Sequence, residues 1–432
     1  MENISDIFIS GLVKKSQNIS NSVYQHTRNV LLDYLGVTIG GMRYLKLNHE
    51  ELVTEVPNIA FISGFAAHVL ELDDGHRHGM IHLGASIVTA VSEVAKKEQL
   101  ISDDVLRGIV MGYEVAVRCA RAIQPGHKER GYHVSGTCGT IGSAMAIAFA
   151  CNYNKEQLKS TLACAVSSAA GVLEIQEQAS ELKPYNTARA AYDGVLAAQI
   201  GKLALPGPDD ILGGKRGFLA ALTDTPKPDF LTDFSEEGYC IEGIYQKVHA
   251  ACRHCHPSID ATLNMRDDHN LKPEQIDKIE VHTYKLAIGS HDHTDIMGIS
   301  SAKLSTPYGV ALAIVKGRCG YADYSEENLN DYRIKHLTHK VSVIEDEKLT
   351  AQSPAVRGAV VTIYLKDGKR YETSCLYSKG EPENPLTQDE IESKFRGLAM
   401  YGGLSSAECD EVIREIKKDS FNLNKIRLLC KI

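Results

Sequence analysis

Between Glu71 and His82 the chain reads ELDDGHRHGMIH, which places Glu71, Asp73, Asp74, His76, Arg77, His78 and His82 in one short stretch. Clustered histidines and carboxylates can be tuned by burial and by one another to move protons near neutral pH. The flanks, FISGFAAHVL and LGASIVTAVSEVA, are apolar and rich in small residues, so packed helices are expected to hold both ends of the stretch. The plain alternative is a polar interhelical loop in which Asp73 or Asp74 caps a helix and the histidines face solvent.

Four further stretches carry chemistry-bearing residues. In ERGYHVSGTCGTIG, His133 precedes a Ser/Gly/Thr run that can open a helix, whose N–H groups suit an anion; the alternative is a start capped by Ser135 with an incidental histidine. In SELKPYNTARAA, Lys183 precedes a proline-led helix start and Arg189 lies one or two turns inside it, two cations suited to a carboxylate or, equally, ordinary surface charge. The stretch KVHAACRHCHPSID contains Cys252-x-x-Cys255-His256, the spelling of a c-type haem attachment site, together with Lys247, Arg253 and His254. No export signal accompanies it, and the ligands lie too close together for a familiar structural zinc site, so neither haem nor metal is expected. In STPYGVA, Tyr308 follows a proline, where a phenol can be held rigidly as a proton donor. No dinucleotide-binding glycine loop, Walker loop or nucleophile elbow is present. His127, His291 and His293 read as residues of exposed loops.

The elements that must position these groups fall into three stretches. Roughly the first 200 residues read as successive helices: NSVYQHTRNVLLDYLGVTIGG and SDDVLRGIVMGYEVAVRCARAI repeat apolar residues at three and four, the second with Ser102 as its expected N-cap. TIGSAMAIAFACNYN and NTARAAYDGVLAAQIGKLAL are rich in Ala, Gly and Ser, which lets helices approach closely. Near residue 245 the texture changes. IDKIEVHTY is strand-like, and AVRGAVVTIYLKDGKRYETSCLY is two strands joined at Asp367-Gly368. KGEPENPLTQDEIESKF then returns to helix, with Thr387 and Glu390 as a capping box. The expected architecture is mainly α: a large all-α domain over 1–245 and 382–432, with a smaller α+β lid domain inserted at 246–381.

The bulk composition narrows the function. A net charge of -8 over 432 residues argues against a nucleic-acid binder, so any anionic ligand depends on particular cations. No run of about 18 apolar residues exists to span a membrane, and the start lacks a signal-peptide pattern, so a cytoplasmic location is expected. The 11 cysteines then read as free thiols, most of them buried.

In order along nearly the whole chain, LLDYLGVTIGG, the D-D-x-H-rich loop ending at His82, GYHVSGTCGTIGSA, Lys183-Pro184, ILGGKRGF, KVHAACRHCHPSIDA, AKLSTPYGVALA and KGEPENPLTQDEIESKF resemble the MmgE/PrpD family. The resemblance implies a large helical domain with an α+β lid, a homodimer, and chemistry on small polycarboxylic acids without metal or organic cofactor. It implies a cleft lined by His82, His133 and Lys183 from the helical domain and by Lys247 and Tyr308 from the lid. Asp73, Asp74, His76, Arg189, Cys252 and Arg253 would bind or support the substrate there. The family spans dehydration, decarboxylation and epimerisation, and one His/Lys/Tyr set can serve all three. Here the first loop reads D-D-G-H-R-H-G rather than the D-T or N-D-T step of dehydratases. Leu83 replaces the family proline, and Cys252 stands where decarboxylases carry a histidine five residues after the lid lysine. The expected function is a dehydratase-type lyase, with an epimerase or decarboxylase as the alternative. A non-catalytic metal-binding protein using Cys252 and Cys255 is the alternative from another class.

Overall fold

The computed structural model describes residues 3–45, 56–177 and 180–432. It is mainly α and divides into two compact units, one of 1–175, 182–245 and 387–432, the other of 176–181 and 246–386.

The helical unit begins with α1 (Ile4–Ser16), α2 (Asn21–Tyr44), α3 (Val56–Val69), α4 (Gly84–Ala95) and α5 (Ser102–Ile123). It continues through the short α6 (Gly126–Glu129), α7 (Val134–Ala150), α8 (Lys155–Ser168) and α9 (Pro184–Gly201). Every residue of α4 and α7 is buried, which makes them the centre of the bundle. Small residues are what permit it. A Cβ on Gly142 of α7 would meet Ala116 at 2.7 Å and the carbonyl oxygen of Gly112 at 2.9 Å, so α5 and α7 cross nearly backbone to backbone. Ser102 is the first residue of α5 rather than its cap: Ile101 occupies that position, and the Ser102 hydroxyl donates toward Asp103 and the Asp419 carbonyl. The C-terminal helix Gln388–Tyr401 starts with the expected capping box, the Thr387 hydroxyl accepting from the Glu390 N–H and the Glu390 carboxylate from the Thr387 N–H.

The mixed unit holds a four-stranded sheet ordered β2-β1-β3-β4, with β1 (Ile276–Thr283), β2 (Val341–Glu345), β3 (Ala359–Leu365) and β4 (Arg370–Cys375). β1 runs parallel to β2 and antiparallel to β3, so Val281 lies between Val343 and Val361, with Val281 and Val361 buried and Val343 half-buried. Gly368, at φ 87°, turns the β3–β4 hairpin in the left-handed region that a side chain disfavours. Helices His256–His269 and Thr306–Lys316 belong to the same unit.

Two local expectations are corrected by burial. His127 is fully buried, not on an exposed loop: its ring bonds the Leu222 carbonyl at 3.0 Å and the Thr137 hydroxyl at 2.8 Å and stacks on Tyr132. His291 and His293 are half-buried and bonded to the Leu304 and Ser301 carbonyls. Burial, aided by the Arg130 charge and opposed by the Leu222 carbonyl, pulls the His127 imidazole down to about 4. The sign follows directly. Below the ordinary pKa of about 6.5 the unfolded chain takes up a proton that the folded chain refuses, until the pH reaches about 4. Acidification through that window is expected to remove about 3 kcal/mol of stability through this residue, and His127→Gln to flatten the decline. Urea unfolding of both proteins across the window measures it; an equal slope in the variant would show that other groups dominate. Among the described residues no helix is long and apolar enough to cross a membrane, and all 11 cysteines are free thiols.

Candidate active site

The acidic, histidine-rich stretch links the end of α3 to the start of α4, so both its ends are anchored in the bundle. Glu71 adopts φ 56°, a left-handed conformation that costs a non-glycine residue about 1 kcal/mol or more and is kept only where the surroundings dictate it. The loop then folds back on itself, with His76 and Ile81 exchanging backbone hydrogen bonds.

Asp73 is the hub. One of its oxygens, Oδ2, lies 2.8 Å from His68 Nδ1 and 3.2 Å from His82 Nδ1. The His82 Nδ1 also lies 2.9 Å from the Asp74 carbonyl, an acceptor only, so Nδ1 carries the proton and Nε2 the lone pair of the neutral ring. The His82 backbone N–H donates to the Ser135 hydroxyl, and its ring packs edge-on against His68 at 4.8 Å. Burial pushes the Asp73 carboxyl up, but the charges and hydrogen bonds of His68 and His82 outweigh it and hold the group ionised.

Asp74 takes the opposite role. Burial, reinforced by Asp73 and Asp33, raises its carboxyl to about 7, although Tyr113 and the Gly84 N–H pull the other way. Tyr113 donates to Oδ2 at 2.5 Å, and the Gly84 N–H at the start of α4 donates to Oδ1 at 2.8 Å. Two adjacent carboxyls are thereby split, one fixed as an anion and one poised at neutrality.

His133 is the N-cap residue of α7, with no side-chain cap; Ser135, the cap in the alternative reading, instead accepts from the His82 N–H. Burial, then the charges of Lys183, His68 and His82, drive the His133 imidazole well below its ordinary value, so it is neutral at physiological pH. Its buried Nδ1 has no hydrogen-bond partner among the described residues. Lys183 precedes the proline-led α9 and forms an ion pair with Glu71. His68 Nε2 is 3.9 Å from the same Glu71 carboxylate, so a chain of contacts runs Lys183–Glu71–His68–Asp73–His82.

His82, His133, Lys183, Asp73 and Asp74 thus come together in the helical unit. Two other expected residues are committed to local structure: His76 accepts from the Gly79 N–H, and Arg189 binds Asp193 and the Ser168 carbonyl. The remaining candidates belong to the mixed unit. Lys247 is fully buried. Arg253 is held by Glu381, His256 Nδ1 and the Lys379 carbonyl, and Cys252 Sγ lies 3.8 Å from His291 Nε2. Tyr308 is 1% exposed, its N–H capped by Ser305 and its hydroxyl without a partner among the described residues. Removing an unpaired buried hydroxyl costs little, so Tyr308→Phe is expected to hold stability within about 1 kcal/mol. A loss of turnover at unchanged stability would mark the hydroxyl as a proton donor; full turnover would end its candidacy.

Sequence reasoning missed His68, Tyr113 and Ser135. His68 sits five residues before Asp73, in a helix that otherwise carries no ionisable residue, and an ionisable group there is the available signal.

An ionised carboxylate fixing an imidazole tautomer, a second carboxyl near neutrality and a lysine on the same chain of contacts are groups that can move protons. The MmgE/PrpD N-terminal domain matches residues 46–231 and the C-terminal domain residues 249–419; the chain belongs to the MmgE/PrpD family. It is 23% identical over 422 residues to the cis-aconitate decarboxylase of Homo sapiens, covering 89% of this chain and 85% of that protein. It is 24% identical over 417 residues to the cis-aconitate decarboxylase of Mus musculus, covering 89% and 84%. These relatives are enzymes.

Proposed function

We propose that this chain is a cofactor-independent lyase that eliminates water from a small di- or tricarboxylic acid. The observation that carries the reading is His82, whose Nδ1 is anchored on Asp73 and the Asp74 carbonyl. A base so held accepts a proton at Nε2, and the buried Asp73 anion stabilises the resulting imidazolium. In the elimination the C–H bond next to a carboxylate breaks toward Nε2. Its electrons form the C=C bond as the C–O bond breaks, and the hydroxyl leaves as water with the proton returned by the imidazolium. Lys183 supplies positive charge for a carboxylate, and the neutral His133 is confined to hydrogen bonding.

Decarboxylation is the second reading, favoured by what both relatives are named for. It uses the same groups in another order: the C–C bond to the departing carboxylate breaks as carbon dioxide leaves, and a protonated His82 delivers its proton to the carbanion. The presence of Cys252 at the position where decarboxylases of this family carry histidine favours elimination.

Proton NMR in deuterium oxide, with 2-methylcitrate, citrate, cis-aconitate and iminodisuccinate as separate substrates, distinguishes these. Elimination predicts an alkene from a hydroxy acid. Loss of carbon dioxide from cis-aconitate would replace that reading with the second, solvent exchange without net product would point to epimerisation, and inertness toward all four would remove the substrate class.

A further inference from the structure

The mixed unit contains a cluster to which the proposed reaction assigns no chemical step, although one member, Cys252, is among the residues expected to bind substrate. Cys252 leads a short 3-10 turn, Arg253–Cys255, and its backbone N–H is fixed on the Lys303 carbonyl at 2.8 Å. His254 lies within that turn, and His291 comes from a separate loop. One potential ligand atom from each of Cys252, His254 and His291 lies within 4.8 Å of the other two, and all three residues are half-buried.

The details match what a metal requires. His291 Nδ1 is 2.9 Å from the Leu304 carbonyl, so that nitrogen bears the proton and the lone pair is on Nε2, the nitrogen facing Cys252. His254 Nδ1 is 2.6 Å from the hydroxyl of the buried Tyr284, a contact that orients the ring. Outer hydrogen bonds of this kind fix the tautomer and direction of metal-binding histidines. Zinc binds thiolate sulfur at about 2.3 Å and imidazole nitrogen at about 2.0–2.1 Å, so a tetrahedral edge between them spans roughly 3.6 Å. The Cys252 Sγ to His291 Nε2 distance is 3.8 Å, within a few tenths of that edge. The His254 and His291 rings stack at 4.9 Å.

We propose that Cys252, His254 and His291 form a three-ligand site for Zn2+ or a similarly soft divalent cation, with the fourth position left for water. A thiolate with two imidazoles and no carboxylate excludes Mg2+ and Ca2+, which require oxygen ligands. The helical unit provides an internal comparison: His68, Asp73 and His82 also cluster, but they offer no sulfur, and Asp73 Oδ2 already binds both rings. The inference rests on the mixed unit alone.

The test is a titration of the dialysed full-length protein with Zn2+ against a chromophoric chelator. About one equivalent per chain is expected to bind. Cys252→Ser and His291→Gln are each expected to weaken binding roughly 100-fold, and Tyr284→Phe roughly tenfold. With Co2+ in place of zinc, the unmutated protein should show tetrahedral visible bands and a thiolate charge-transfer band in the near ultraviolet, the latter lost in Cys252→Ser. The cobalt spectrum keeps the test decisive if a variant folds poorly. Absence of binding in the unmutated protein, a cobalt spectrum without thiolate character, or affinity that falls with Asp73→Asn but not with Cys252→Ser would each overturn the site.

Discussion

His82→Ala is expected to lower kcat by about 10²-fold or more while changing unfolding free energy by no more than about 2 kcal/mol. The asymmetry comes from geometry. The side chain is partly exposed and its loss leaves Asp73 bonded to His68, so no buried charge is stranded. What disappears is an imidazole whose proton is fixed on Nδ1 by two acceptors. Asp73→Asn is the companion test. It keeps the shape but lets the amide face His82 with a donor, which favours the wrong tautomer, and a loss of roughly 10²–10⁴-fold in kcat is expected. It also removes the anion that stabilises the imidazolium, so the acid limb of the kcat/KM profile should move to lower pH. A purely structural aspartate would leave that limb in place. Were His82→Ala to unfold the protein, the histidine would be a core or capping residue and the catalytic reading would fail.

Lys183→Ala carries the second large effect, and on two observables. The Glu71 carboxylate that Lys183 pairs with is buried and sits on a left-handed residue that cannot easily relax. Removing Lys183 takes a cation away from a buried carboxylate, at a cost of about 3 kcal/mol. Lys183→Ala with Glu71→Gln should recover most of that stability, because the buried negative charge is gone. Substrate binding should not recover. Loss of a charge-assisted contact to a carboxylate raises KM by about 10–100-fold in both the single and the double variant. Urea unfolding and steady-state kinetics on the same preparations separate the two roles. A double variant with normal KM would assign Lys183 to structure alone.

The capping box at Thr387–Glu390 and the hairpin turn at Asp367-Gly368 were legible in the sequence because each depends on neighbours a few residues apart, and the small-residue helices were legible from composition. So was the concentration of ionisable groups between two apolar helices, since pattern alone marks a loop whose ends are buried. What each ionisable group does was decided by tertiary structure. Asp73 and Asp74 are adjacent in the chain, yet one is held ionised by His68 and His82 and the other is raised to about 7 by burial, against the pull of Tyr113 and the Gly84 N–H. Ser135 and His127 read locally as a cap and an exposed loop residue. The fold makes one a partner of His82 and the other a buried neutral base, because only packing sets desolvation and hydrogen-bond partners. The cluster of Cys252, His254 and His291 shows the same limit. The sequence displayed Cys252-x-x-Cys255-His256, but the structure selects Cys252 and His254 from that stretch and adds His291 from 39 residues beyond Cys252. Local spacing fixes which residues share a turn, and only long-range folding fixes which atoms share a point in space.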